Sequence, residues 1–218
     1  GESIIKRAQA NNLLRIRLYD LRTYTHDRHR SVDDRPYGGG PGMVMRPEPI
    51  FEAVETLRTP SRASRGAARD PGAVILMSPD GEPLSSALAK RLAQITRLIL
   101  ISGHYEGVDE RVKTIADHTV SIGDYILTGG ELPAMVLMDC VARFIPGVLG
   151  HARATEEESF SDGLLEYPQY TRPPVFRGMA VPDVLLSGNH ERVLQWRRRQ
   201  ARSRTTALRP DLVEAHAR

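Results

Sequence analysis

The 218-residue chain has one cysteine, Cys140, which excludes disulfides within the chain and thiolate metal clusters. Its apolar neighbours make it a core filler. Lysine is nearly as scarce, occurring only at Lys6, Lys90 and Lys113, so every other basic side chain apart from histidine is arginine. No apolar run approaches the roughly 20 residues of a membrane-spanning helix, and no signal-peptide pattern is present, which predicts a cytoplasmic protein with no membrane partner. The Gly38-Gly39-Gly40-Pro41-Gly42 stretch lacks the Lys-Ser/Thr ending of a phosphate-binding loop, and no glycine trio fits the dinucleotide fingerprint. ATP and NAD sites of those types are excluded. His104, His118, His151, His190 and His216 lack metal-ligand spacing.

What is present bounds the answer further. A 24.3 kDa chain that is 40% hydrophobic can bury a proper core, as one large domain or one with a small second. Net charge is only +3, but arginine forks onto phosphates and stacks on bases. An Arg-rich genome would give the same bias, so clustering decides. Arg22, His26, Arg28, His29, Arg30 and Arg35 form one group, and Arg192, Arg197, Arg198, Arg199, Arg202 and Arg204 another. Two basic groups far apart in sequence favour a polyanionic partner over a solvated face.

In chain order, SIIKRAQAN reads as a helix and Leu14 to Leu18 alternates like a strand. Residues 22–46 form a long polar loop whose Arg, His, Tyr24 and Tyr37 suit a surface that grips RNA. A helix pattern covers Pro47 to Leu57, followed by a small-residue basic linker over residues 59–72. Ala73 to Met77 is a continuous apolar run that predicts a buried parallel strand, with Ser78-Pro79-Asp80-Gly81 as the turn at its carboxyl end. A helix over residues 84–96, a second buried strand at Leu98 to Ser102, a helix from Val108 to Ile115 and a short strand from His118 to Ile122 follow. The rhythm implies an α/β sheet.

Three glycine-bearing loops, Ser78 to Gly81, Gly103 to Gly107 and Gly123 to Gly130, fall at strand carboxyl ends, where open sheets bind ligands. The last belongs to SIGDYILTGGELPAMVLM, residues 121–138, which offers backbone rather than side chains to a flat heterocycle and ends in a helix with Pro133 in its first turn. A Gly-Gly pair alone is more often a tight turn; the convergence of three loops favours ligand binding. Beyond Gly163 the chain is Pro-rich, then basic and helical from Asn189 to Arg204, with Trp196 read as core.

These motifs carry a resemblance. PYGGGPGMVM, ISGHYEGVDERV, SIGDYILTGGELPA, RFIPGVLG, YTRPPVFRG and LLSGNH resemble the bacterial tRNA (guanine-N1)-methyltransferase family of the SPOUT class, over nearly the whole chain. The resemblance implies a parallel α/β sheet with a deep trefoil knot over residues 1–150, a flexible linker over 151–163 and a small helical tRNA-binding domain over 164–218. It also implies S-adenosylmethionine as cofactor, tRNA as partner, and a homodimer with each active site at the subunit interface. The target would be the guanosine 3′ of the anticodon, position 37. Family members start about one βα unit earlier, so an amino-terminal strand is expected to precede Gly1.

Carried over residue by residue, the donor would lie against Met77, Ser78, Pro79, Gly103, Glu106 and the loop Ile122, Gly123, Asp124, Tyr125, Ile126 and Leu127, with Gly129, Gly130 and Pro133 closing the adenine pocket. Substrate contacts would fall to Asp33, Arg35, Gly42 and Arg172. Guanine N1 carries a proton at neutral pH, so methylation needs a carboxylate base and a cation to steady charge on O6. The family's linker Asp corresponds here to Glu158, beside Glu156 and Glu157, with Asp162 the nearest competitor. Its helper Arg corresponds to Arg143. Glutamate keeps the chemistry but approaches from one methylene further. Magnesium is associated with the family reaction, and Glu106, Glu158 and Glu166 are acidic enough to hold it through waters. Two other readings stay open: a related SPOUT RNA methyltransferase with another target, and a catalytically impaired RNA-binding homologue.

Overall fold

A computed structural model of the chain describes residues 3–59, 71–150, 155 and 158–216; most of the basic linker, His151, Glu156 and Glu157 lie outside them. The chain divides into two units, Gly1–Leu149 and Gly150–Arg218. In the first, α1 (Ser3–Ala10) leads through an irregular segment to a 3₁₀ turn at Leu21–Tyr24, where the Asp20 carboxylate accepts the Arg22 N–H. Then come β1 (Asp33–Asp34), β2 (Val44–Met45), α2 (Pro47–Arg58), β3 (Ala73–Pro83), α3 (Ser86–Leu92), β4 (Leu98–Ser102), a 3₁₀ turn at Glu110–Ile115, β5 (His118–Ser121) and α4 (Glu131–Ala142).

The apolar run Val74 to Met77 explains the architecture. Strand β3 lies between β4 and β5, parallel to both, so its side chains are covered on each face. Val74 and Leu76 point into one core with Ile50 and Val54 of α2 and Ile99 and Ile101 of β4. Ile75 and Met77 point into the other, with Leu88 and Leu92 of α3 and Leu137 and Val141 of α4. The period of two along a strand divides one continuous hydrophobic run between two cores. Helix α3 is capped by Ser85, whose hydroxyl accepts the Leu88 N–H at 3.1 Å. It ends at Leu92, short of the predicted residue 96.

Other expectations change as well. Leu14 to Leu18 forms no strand and pairs with none of the described strands, and Leu18 is 92% exposed. Alternation makes a strand only where a neighbouring edge can take its N–H and C=O groups. The predicted Val108–Ile115 helix is the tighter 3₁₀ turn instead, started by Asp109, whose carboxylate takes the Arg111 N–H at 3.0 Å. The turn after Met77 also departs from a simple strand end. Pairing with Val120 is interrupted between Met77 and Glu82, and the chain then returns to the same partner, leaving Ser78 to Gly81 as an excursion from the sheet.

The second unit holds the antiparallel pair β6 (Val175–Phe176) and β7 (Met179–Ala180), then α5 (Asp183–Leu186), α6 (His190–Leu208) and α7 (Pro210–His216). Asn189 caps α6 by accepting the Arg192 N–H at 3.1 Å. Trp196 is buried, as read from the sequence, and its ring lies 6.4 Å from that of Tyr170. Fully buried Thr205 ties the preceding chain to this helix: its hydroxyl donates to the Ala201 carbonyl and accepts the Leu165 N–H.

Candidate active site

The Ser78–Gly81 excursion of β3 and the loops at the carboxyl ends of β4 and β5 meet around a cleft of about 290 Å³. Its walls come from Met77, Ser78 and Pro79 where the pairing of β3 is interrupted, from Gly103 and Glu106 after β4, and from Ile122, Gly123, Tyr125, Ile126, Leu127, Gly129, Gly130 and Pro133 after β5. Of the residues expected to hold a donor, only Asp124 does not line it. Leu76 and Val120 form the apolar floor, and His104, Tyr105 and Thr128 add polar walls that the residue-by-residue reading passed over. The first two lie within the ISGHYEGVDERV motif, so the signal was in plain view.

Backbone contacts hold the loops together. The Gly130 N–H donates to the Gly103 carbonyl at 2.7 Å, and His104 bridges Gly129 in antiparallel fashion. The GGGPGMVM stretch supplies another wall support: Met45 bridges Val108, its N–H donates to the Gly107 carbonyl, and the Glu106 N–H donates to the Met43 carbonyl. Gly42 then lies directly over Glu106, where a Cβ would meet its Oε1 at 2.5 Å. The structure thus brings one predicted substrate residue onto one predicted donor residue. Asp33 is linked to the same wall through its pairing with Met45. Arg35 is exposed beside it, its N–H bonded to the Asp34 carboxylate, and Tyr37 is fully exposed.

Charge around the cleft is ordered by short contacts. Lys113 donates to Asp80 at 2.5 Å and lies 2.9 Å from Glu110, while the Ser78 hydroxyl donates to Asp80 at 2.6 Å. The Lys113 hydrogen bond, then that of Ser78, holds the Asp80 carboxyl below its ordinary range, and Asp80 and Glu110 raise the Lys113 ammonium. This network fastens the Ser78–Gly81 excursion to the 3₁₀ turn. His104 faces Glu131 at 3.4 Å, with both side chains about half exposed.

The remaining predicted residues are placed as follows. Arg143 is the C-cap of α4, half-buried, with its N–H on the Val141 carbonyl. In the second unit, the Glu158 carbonyl accepts both the N–H and the hydroxyl of Ser161. Glu166 donates its N–H to Ser159 and accepts from the Gln169 side chain, and Arg172 is exposed. Among the described residues no group of three or more His, Cys, Asp or Glu side chains is arranged to hold a metal ion, and no helix is long and apolar enough to cross a membrane.

Comparison with known proteins places this site in context. A family profile described as tRNA (Guanine-1)-methyltransferase TrmD matches residues 1–215. A tRNA (guanine-N(1)-)-methyltransferase of Moorella thermoacetica is 57% identical over 212 residues, 97% of this chain and 82% of that protein. The protein of the same name from Dictyoglomus turgidum is 55% identical over 212 residues, with the same shares covered. That of Geobacillus kaustophilus is 52% identical over 217 residues, 99% of this chain and 86% of the relative. With a glycine-walled cleft at the ends of a parallel sheet and a match along nearly its full length, the chain belongs to the tRNA (guanine-1)-methyltransferase family.

Proposed function

We propose that this protein methylates N1 of guanine in tRNA, at the guanosine 3′ of the anticodon, with S-adenosylmethionine as donor. The observation that carries the reading is the convergence of three glycine-bearing loops on one cleft in a chain of this family. The donor fits the residues present. A heterocycle edge can be matched by main-chain groups where glycines leave the backbone bare, as at Gly129 and Gly130. The apolar floor suits its flat ring, and the exposed Glu106 carboxylate suits its positive charge. When bound, the donor supplies an electrophilic methyl group on a charged sulfur, which needs placement more than activation.

The acceptor carries the chemical difficulty. Glu158 is the carboxylate assigned to take the N1 proton, freeing the nitrogen electron pair for in-line attack. Arg143 is assigned to O6, where charge accumulates as the proton leaves. Asp33, Arg35, Gly42 and Arg172 are assigned to the tRNA, together with the arginines of α6, whose phosphate contacts would provide affinity and salt dependence. Among the described residues no group of carboxylates is arranged to hold a metal ion, so no magnesium site is assigned.

Two architectural features belong to the same reading. The SPOUT knot is assigned to the first unit, supported by the close chain approach at Gly81, where a Cβ would meet Thr119 and Val120 backbone at 2.4 to 2.6 Å. A homodimer is supported by Leu132, Met135 and Val136 of α4, which expose an apolar stripe at helical spacing. A second copy covering that stripe would place each cleft at the subunit interface. The cytoplasm is where a tRNA-modifying enzyme meets its substrate.

Methyl transfer to tRNA transcripts carrying G or A at the target nucleotide tests the reading. Transfer to G alone is expected; transfer elsewhere supports a SPOUT relative with another target, and no transfer supports an RNA-binding homologue without activity. Glu158→Gln is expected to abolish transfer while leaving donor binding intact; full activity in that variant removes Glu158 as base.

A further inference from the structure

The β6–β7 hairpin of the second unit has no role in the chemistry above, yet it is built to display side chains. Arg177 and Gly178, with φ of 50° and 78°, form the two-residue turn that the twist of a hairpin prefers. Phe176 pairs directly with Met179 across the strands, so the two side chains stand together on one face. They are 55% and 66% exposed, and the Arg177 guanidinium lies 5.2 Å from the centre of the Phe176 ring. The Val181 N–H bonds to the Pro174 carbonyl at 2.9 Å and closes the base of the hairpin. Residues 167–182 carry Arg172 and Arg177, with Glu166 and Asp183 at either end of the segment.

An exposed aromatic beside a thioether, with a guanidinium set against its ring, fits a partner that offers both a flat π-face and a phosphate. We propose that this hairpin is a stacking platform for an unpaired base of the tRNA substrate, with Phe176 under the base and Arg177 serving both ring and phosphate. Base stacking on aromatics is tolerant of sequence, so the platform adds affinity and orientation rather than choice of base. A rigid two-residue turn keeps the ordering cost of this contact small, because the backbone is fixed before the RNA arrives. Phe176 and Arg177 are therefore positioning residues for the acceptor, and this assignment rests on the tRNA methyltransferase reading.

The test uses the full-length protein and an unmodified tRNA transcript. Binding is followed by fluorescence anisotropy, transfer by steady-state kinetics, and stacking by 2-aminopurine placed in turn at each anticodon-loop nucleotide. Phe176→Ala is expected to weaken tRNA binding and raise the KM for tRNA about tenfold. Donor affinity and melting temperature are expected to stay unchanged. Phe176→Trp is expected to restore binding and the quenching of 2-aminopurine at one position. Arg177→Gln is expected to weaken binding and lower the slope of log affinity against log salt by about one. If wild type binds and methylates tRNA while Phe176→Ala matches it in affinity and KM, the platform is refuted and the methyltransferase reading stands. If wild type does not bind tRNA at all, the underlying reading fails first. A change in oligomeric state with unchanged RNA affinity would make the hairpin a protein contact and also refute the proposal.

Discussion

Gly130 lies so close to Gly103 that a Cβ on Gly130 would meet the Gly103 amide nitrogen and the Ser102 Cα, each at 2.8 Å. The same two glycines are joined by the 2.7 Å bond from the Gly130 N–H to the Gly103 carbonyl. The start of α4 is therefore fastened to the end of β4 by bare backbone, and the wall of the cleft between them exists only while no side chain intrudes. Gly130→Ala is expected to push these loops apart, destabilising the fold by about 1–3 kcal/mol. Donor affinity is expected to fall by more than tenfold. Calorimetric titration with S-adenosylmethionine checks this, and wild-type affinity in the variant would show the contact to be irrelevant to binding.

Gly81 is packed more tightly still: a Cβ there would meet Val120 N at 2.4 Å and Thr119 C and O at 2.5 and 2.6 Å. All three are backbone atoms of β5, so no rotamer change relieves the clash. Gly81→Ala is expected to cost at least about 3 kcal/mol in denaturant unfolding. A variant with wild-type stability would mean that the two chain segments do not lie against one another in solution.

How far the sequence discloses this depends on the range of the interaction concerned. Val74 to Met77 could be read as a strand covered on both sides because the run is apolar at every position, and the structure divides it between two cores. The three loops could be placed at strand ends because Gly and Pro punctuate them. Leu14 to Leu18 misled because alternation records a local preference and carries no record of whether a partner edge is present. The β6–β7 hairpin was missed since two-residue strands show no periodicity; its signal was Arg-Gly between apolar pairs. The bridge from Met45 to Val108, which makes the GGGPG loop a support of the cleft, joins residues too far apart for any local pattern. Likewise, Asp80 and Lys113 are ordinary charged residues until the fold brings them together.

Asp80 and Lys113 allow a pH prediction. Asp80 is held below its ordinary value of 3.8 in the folded state, by Lys113 first and Ser78 second. Its contribution to stability is thus full above that ordinary value and is lost as pH falls through the lower folded value. Lys113 is raised above 10.5, so its contribution is full below that pH and is lost as pH rises through the raised value. Asp80→Asn is expected to weaken donor binding by at most about fivefold at neutral pH, since the pair is largely solvated. The stability difference between wild type and variant should shrink below pH 3.8. A difference that persists unchanged into acid would assign the effect to something other than the carboxylate.

Helix α4 has two faces that ask for different partners. Ala134, Leu137 and Val141 are buried in the core beneath the sheet, while Leu132 and Met135, at 57% and 58% exposure, point away from it. A 12-residue helix apolar on both sides is expected where a second surface covers the outer face. In a homodimer that surface is another copy, and Met135→Glu would bury an unpaired charge at its centre. Sedimentation is expected to show a monomer for this variant and a dimer for wild type, with circular dichroism unchanged because the inner face is untouched. Methyl transfer should fall with the dimer if each cleft is completed by the partner copy, and a fully active monomer would show that one chain suffices.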